Sequence, residues 1–230
     1  MIQAVLFDID NTLYSYDDAH AVAWEALCAY AKEHLEMDAE MFLQSHKAAQ
    51  TIVKERLNGE CAALHNRQLR YQVLLEENNK PIHHAITMND LYWNTLIAAA
   101  KPEPGILECL KALKNAGFTL GIGTDMTIDY QLKKLVALQM LPYFDFIVSS
   151  EEVNTEKPHK KLFDLCAKKA KAGPERCLFI GDSLKKDYSG ALGAGMEAMW
   201  YCPNQLKGEE HPEIRKITHF DQLREWLIGG

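Results

Sequence analysis

What most constrains this chain lies in its first ten residues. Ala4-Val5-Leu6-Phe7 is an unbroken apolar run that stops at Asp8, with Asp10 two positions on and Asn11-Thr12-Leu13 behind it. An apolar run without polar alternation suits a strand of parallel sheet covered on both faces. Open α/β sheets bind their ligands beyond the carboxyl ends of the strands, where Asp8 would stand. Side chains at i and i+2 of an extended segment share a face, so Asp8 and Asp10 repel each other unless a cation, a base or a proton relieves them. The pair points to oxygen ligation of a hard cation such as Mg²⁺, or to an acid–base pair. The competing reading is a solvated turn, which Asp and Asn also favour.

A chain of 230 residues with 47% hydrophobic and 25% charged residues is long enough for one large domain or two modest ones. Its net charge of -7 argues against nucleic acid, which calls for a basic stripe. No stretch approaches the length and apolarity of a membrane span. The six cysteines, Cys28, Cys61, Cys109, Cys166, Cys177 and Cys202, are scattered without a C-x-x-C pair. They fit neither a zinc site nor a disulfide framework. With no basic leader ahead of the first strand, we expect a cytoplasmic protein with no membrane or nucleic-acid partner.

After Thr12 the pattern becomes helical. Helices are expected over Ala19 to Leu35, Ala39 to Leu57 (stopped by Asn58-Gly59), Leu64 to Leu75 and Ile82 to Ala100. This all-helical block, 15–101, reads as an inserted cap, and the prolines of Lys101-Pro102-Glu103-Pro104-Gly105 return the chain to the sheet. Residues 1–14 and 102–230 then form the core. There strands are expected at Phe118 to Gly123, Phe144 to Val148, Cys177 to Ile180 and Glu197 to Cys202. Helices alternate with them, among them Thr127 to Met140 with Ile128, Leu132, Leu135 and Val136 on its apolar face. Such alternation implies an α/β fold, a Rossmann-like parallel sheet with helices on both faces.

Polar residues recur where these strands end. Asp8 and Asp10 follow the first, Thr124 and Asp125 the second, and Asp182, Ser183 and Asp187 the fourth, while Lys157 lies beyond the third. In a parallel sheet these ends share one edge, so the groups can converge on a single crevice. Each has a bland reading by itself, as helix cap, turn or solvated charge, but four such coincidences at four strand ends are improbable. The spacing Gly190-x-x-Gly193-x-Gly195 is wrong for a dinucleotide fingerprint and suits tight helix packing. His83 and His84, about 100° apart on a helix, suit surface positions better than a shared metal.

The set Asp8-x-Asp10-x-Thr12, Thr124, Lys157-Pro158 and Gly181-Asp182-Ser183-x-x-x-Asp187 resembles the four motifs of the haloacid dehalogenase-like (HAD) hydrolase superfamily, in its order and across the whole chain. The helical insert resembles that superfamily's C1-type cap. The resemblance implies Mg²⁺-dependent hydrolysis of a small phosphomonoester through an aspartyl-phosphate. Asp8 would be the nucleophile, and Asp10 would protonate the leaving oxygen and then activate water. Thr124 and the Asp125 backbone N–H would bind the phosphoryl group, and Lys157 would offset the negative charge. Asp8, the Asp10 carbonyl and Asp182 would hold Mg²⁺, with Asp187 behind them. Asp125-Met126 departs from the frequent Asn-Gly, which puts a side-chain role for Asp125 in doubt. Burial and the Asp8 charge should raise the Asp10 pKa.

Phosphomutase chemistry shares these residues. A dehalogenase would lack the second aspartate, and a phospho-receiver would carry its aspartate on a middle strand and no large cap. Asp-Asn-Thr-Leu and Ser149-Ser150-Glu151-Glu152 resemble nucleotidase-like and acylneuraminate-phosphatase-like members. Tyr14, Tyr16 and His20 are candidates for substrate selection. The expected partner is a small phosphorylated metabolite, and the expected assembly a monomer or homodimer.

Overall fold

In the computed structural model, which describes residues 1–57, 61–203 and 211–229, the first apolar run is strand β1, Ala4–Phe7, buried along its whole length. β1 lies between β2, Thr119–Thr124, and β4, Cys177–Gly181, parallel to both, with Leu6 opposite Gly121 on one side and Phe179 on the other. β3 (Phe146–Ser149), β5 (Glu197–Tyr201) and β6 (Lys216–Ile217) complete a parallel sheet of order β3-β2-β1-β4-β5-β6. The carboxyl ends of the strands therefore share one edge.

The strand period of two splits the core between the faces of the sheet. Leu6 and Phe179 join Leu162, Phe163 and Cys166 in one apolar cluster. Phe7 meets Phe144 edge-on at 6.1 Å and Phe220 at 6.5 Å, and Phe220 stacks on Tyr201. Of the three glycines expected to serve tight packing only Gly190 does so, because a Cβ there would lie 2.7 Å from the Phe163 ring. One on Gly193 would meet nothing within 4 Å, and Gly195 is instead at a φ of 84°. Truncating a buried ring such as Phe163 to alanine would cost about 3–5 kcal/mol.

The chain divides into two compact units, Met1–Ser15 with Lys101–Gly230, and Tyr16–Ala100. The second is helical: α1 (Tyr16–Leu35), α2 (Ala39–Leu57), α3 (Arg67–Glu77) and α4 (His84–Ala99). On α1 the buried positions Ala19, Ala23, Leu27, Ala31 and Leu35 fall four apart, a narrow stripe of mostly small residues that packs on α4. The expected helix stop at Asn58-Gly59 lies outside the described residues. No helix among the described residues is long and apolar enough to cross a membrane.

The helices of the sheet unit are α5 (Ile106–Asn115), α6 (Ile128–Ala137), α7 (Ser150–Val153), α8 (Lys160–Ala170), α9 (Ser189–Gly193) and α10 (Phe220–Ile228). Some boundaries differ from the sequence pattern for local reasons. Asn66 divides the expected third helix, because its side chain caps α3 by accepting the Leu69 N–H at 3.0 Å. Pro142 sits in a 3₁₀ turn over Leu141–Tyr143, which delays β3 to Phe146. The two-residue β6 is too short for any periodic signal.

The apolar face assigned to α6 is the larger miss. Leu132 and Val136 are 36% and 60% exposed, whereas Gln131 and Lys134 are fully buried beside Leu135. A polar assembly claims the inner face of this helix.

Candidate active site

Asp8 follows β1 directly, with its N–H donated to the Ile180 carbonyl at 2.9 Å, so the carboxylate emerges between β1 and β4. Lys157, 2% exposed, reaches it from the loop beyond β3, with Nζ 2.7 Å from Asp8 Oδ1 and 2.7 Å from Asp187 Oδ1. The same ammonium donates to the Gly123 carbonyl at the end of β2. Asp187 arrives on a π-helical turn, Leu184–Tyr188, and its other oxygen accepts the Ser183 N–H at 3.0 Å. Gly181 makes room for it, since a Cβ there would stand 2.3 Å from the Asp187 carboxyl carbon.

Asp8, Asp182 and Asp187 offer carboxylate oxygens within 4.8 Å of one another. Burial pushes Asp8 well above the usual carboxylate range, and Asp187, Asp182 and Asp10 add to the rise against the pull of Lys157. Asp182 is pushed up to about 6, by burial first and then by Asp187. Lys157 is driven the other way from burial's tendency, its ammonium favoured by Asp187, Asp8 and Asp125. One lysine faces three carboxylates, and hard oxygen donors in this number suit Mg²⁺. Asp187, already engaged by Lys157 and Ser183, fits the supporting position behind Asp8 and Asp182.

Asp10 has a separate set of partners. Its Oδ1 accepts from Lys134 Nζ at 2.6 Å and from the Tyr14 hydroxyl at 2.5 Å, and its Oδ2 accepts from Gln131 Nε2 at 3.2 Å. Burial alone would raise the Asp10 pKa, but the Lys134 charge and the hydrogen bonds from Lys134, Tyr14 and Gln131 outweigh it and hold the carboxyl below its ordinary value. The expected upward shift is thus reversed, because the fully buried Lys134 ammonium stands against the carboxyl. Tyr14, a candidate for substrate selection, belongs to the sheet unit and hydrogen-bonds Asp10 instead.

Gln131 ties this arm to the next strand end. Its Nε2 donates to Thr124 Oγ1 at 2.7 Å as well as to the Asp125 carbonyl at 3.1 Å. A hydroxyl that accepts this bond has its own proton left to donate, here to the Asp125 carbonyl at 3.2 Å. Gln131 Oε1 and Thr12 Oγ1 are buried without a hydrogen-bond partner in the structure. The Asp125 side chain serves the loops: it accepts the Lys157 N–H at 2.9 Å and Lys186 Nζ at 2.9 Å, and Lys186 also reaches Glu156.

The structure therefore gathers Asp8, Lys157, Asp182 and Asp187 into one cluster, and links Asp10 to Thr124 through Gln131. Sequence reasoning missed Gln131, Lys134 and Lys186. The signal available was Gln131-x-x-Lys134, two polar residues one turn apart on the helix that follows Thr124. Tyr16 and His20 lie in the helical unit, stacked on each other at 5.5 Å, and His20 Nδ1 is 2.8 Å from the Tyr92 hydroxyl.

The chain is similar to several known proteins. The ribulose-1,5-bisphosphate 5-phosphatase of Halopiger xanaduensis is 32% identical over 95% of this chain and 92% of its own. The glyceraldehyde 3-phosphate phosphatase of Methanopyrus kandleri is 34% identical over 85% and 82%. A 2-haloacid dehalogenase from Pseudomonas syringae pv. tomato superposes with a TM-score of 0.77, at 25% identity, over 99% of this chain and 98% of its own. The family model of haloacid dehalogenase-like hydrolases matches residues 2–195, and the chain is an enzyme of that family.

Proposed function

We propose that this protein is a Mg²⁺-dependent phosphatase that hydrolyses a small phosphomonoester, in the sugar-phosphate range, through an aspartyl-phosphate on Asp8. The observation that carries this reading is the division of labour between the two aspartates of the first motif. Asp8 is paired with Lys157 among the other carboxylates, while Asp10 is held apart by Lys134, Tyr14 and Gln131. A dehalogenase has no use for a second, separately held carboxyl group. The named activities of the two relatives support the phosphoryl chemistry and the sugar-phosphate class.

In this reading Asp8 attacks phosphorus and the ester oxygen departs. Asp10 gives that oxygen a proton, then takes one from the water that attacks the aspartyl-phosphate, which leaves inorganic phosphate and free Asp8. Lys134, Tyr14 and Gln131 hold the Asp10 carboxyl in one place through both steps. Their hydrogen bonds favour the carboxylate, the form that the second step needs; for the first step Asp10 takes up a proton as the anionic phosphoryl group arrives beside it. The Thr124 hydroxyl, held by Gln131, donates to a phosphoryl oxygen. Asp8, the Asp10 carbonyl and Asp182 would hold Mg²⁺, which would neutralise charge on the phosphoryl group when bound. The helical unit would act as the cap. A phosphomutase would use the same first half-reaction. The test is a phosphate-release screen over sugar phosphates, nucleotides and small acid phosphates with and without Mg²⁺. Release from at least one ester only with the cation upholds the reading, and silence across the panel with chloride release from 2-chloropropionate replaces it with dehalogenation.

A further inference from the structure

The helical unit carries a second assembly of polar groups, with chemistry opposite to that around Asp8. His46 on α2 and Tyr71 on α3 are buried, 8% and 0% exposed. His46 Nε2 has no hydrogen-bond partner in the structure, and the Tyr71 hydroxyl, approached by Arg67 as a donor, has no acceptor for its own proton. Their rings lie 6.1 Å apart. Arg70, next to Tyr71, spends one guanidinium nitrogen on the Leu64 carbonyl, while its buried Nε has no partner. One turn earlier, Arg67 stacks over the Tyr92 ring at 4.0 Å and donates to the Tyr16 hydroxyl.

Each of these groups can donate a hydrogen bond, and the charged ones are all positive. Arg67 and Arg70 repel each other, and burial together with Arg67 pulls the Arg70 pKa down. His46 is pulled down to about 4, by burial and then by Arg67, Arg70 and His20, so its ring is neutral at pH 7 and can donate through Nε2. Among the described residues, no carboxylate is among the groups acting most strongly on His46, Arg70 or Tyr71. Buried donors ordinarily find acceptors, and Arg70 Nε, His46 Nε2 and the Tyr71 hydroxyl have none. Stacking on Tyr92 answers for the flat face of Arg67, but it supplies no acceptor to Arg70, His46 or Tyr71.

We propose that the helical unit holds an anion-binding site, in which Arg70, His46 and Tyr71, with Arg67 beside them, take the oxyanion of a phosphorylated or carboxylated small molecule. A guanidinium suits such a group because its planar fork matches two oxygens at once. The unspent proton of the Tyr71 hydroxyl and the His46 ring N–H would supply two more donors. The oxyanion belongs either to a second acid group of the substrate or to a free anion. In the first case the site deepens the phosphatase reading, and the binding measurement below stands without it.

The test uses the full chain without Mg²⁺, labelled for NMR at tryptophan indoles and histidine rings, with inorganic phosphate as the probe. Saturable shifts at His46 and at Trp93, whose ring centroid lies 5.4 Å from the Arg67 guanidinium carbon, are expected at millimolar phosphate. Arg70→Met should weaken that response about tenfold or more, and Tyr71→Phe, which loses only a hydroxyl, by a few-fold. Tyr71→Phe keeps the test open should Arg70→Met fail to fold. No saturable shift at these residues, or one unchanged in both variants, overturns the site whatever the enzyme proves to hydrolyse. Kinetics then identify the source. A KM rise in Arg70→Met for a sugar bisphosphate, larger than for the matching monophosphate, assigns the anion to the substrate. An equal response to both esters assigns it to a free anion. Absence of any phosphatase activity in the wild type would remove the phosphatase reading and leave the binding result standing.

Discussion

The Lys134 ammonium stands 2.6 Å from Asp10 Oδ1, across 124 positions of sequence. Lys134 is fully buried, whereas the Asp10 side chain keeps 27% of its surface. A buried lysine is costly unless its charge is met, and here a carboxylate meets it at the edge of the candidate site. The pair fixes the Asp10 carboxyl, and Gln131 on the same helix extends the constraint to Thr124. Asp10 beyond β1, Thr124 at the end of β2, and Gln131 and Lys134 on α6 thus form one hydrogen-bonded unit.

Lys134→Met keeps most of the side-chain volume and removes the charge and the donor. We expect kcat to fall about tenfold or more, since general acid–base assistance is worth about 10²–10⁴-fold and Asp10 would be misplaced rather than absent. KM should change little. The loss should be larger for an alkyl than for an aryl phosphate, because an aryl leaving group scarcely needs a proton in the first step. Asp10→Asn should show the same leaving-group pattern more strongly. Steady-state rates on both esters check this, and an equal loss on both would make Lys134 a structural residue only.

Relative to Asp182→Asn, the metal-free wild type should gain stability as the pH falls from about 7 towards 5, against the opposite trend set by His46, whose lowered pKa costs the folded chain stability as pH falls. The folded-state pKa of Asp182 is raised to about 6, above its unfolded value, so between the two the folded chain binds the extra proton. The Asp182 contribution to stability therefore rises as pH drops through that window. Asp10 acts in the opposite sense: its lowered pKa gives stability that is present at neutral pH and lost only in stronger acid. Added Mg²⁺ should raise the melting temperature most near neutral pH, where it relieves ionised carboxylates, and less near pH 5. Melting curves from pH 5 to 8 with and without Mg²⁺ test both halves. Asp182→Asn should lack the metal-free gain at falling pH.

Much of the sheet unit was legible because its signals are local. An apolar run gives a strand, the residue that ends it gives a strand end, and parallel order gathers the ends on one edge. Asp8, Asp182, Asp187 and Lys157 all announce themselves in this way. Gln131 and Lys134 do not, because the pattern of α6 was read by hydrophobicity, which put Leu132 and Val136 inward. The ion pair with Asp10 outweighs that preference, and exposing two aliphatic side chains costs about 1.5–3 kcal/mol each at most. Arg70, His46 and Tyr71 were equally silent, since polar residues scattered over helices have no landmark such as a strand end.

Asp8→Asn should abolish turnover and leave the fold intact. The amide is nearly isosteric and no longer a nucleophile, and it removes one of the charges that crowd Asp182 and Asp187. We expect a melting temperature equal to or above wild type without metal, with a smaller gain on adding Mg²⁺. Wild-type activity in the purified variant would exclude Asp8 as the nucleophile.

Met126 makes an unusual stability prediction. It follows Thr124-Asp125, and its φ of 117° lies in the region that favours glycine. The strain is held by its surroundings: its N–H donates to Ser150 Oγ at 2.8 Å, and the side chain is buried against Lys134 Nζ, 3.8 Å from Sδ. Met126→Ala loses the buried thioether, at about 1.5–3 kcal/mol, and keeps the backbone strain, because alanine still has a Cβ. Met126→Gly loses the same contacts but releases strain of about 1–3 kcal/mol, offset in part by the greater freedom of glycine in the unfolded chain. The glycine variant should therefore be the more stable of the two, by about 1 kcal/mol, the reverse of the order found at ordinary buried positions. Chemical denaturation of both variants, compared at equal m-values, decides it. An alanine variant as stable as the glycine one would show that the Met126 backbone carries no strain.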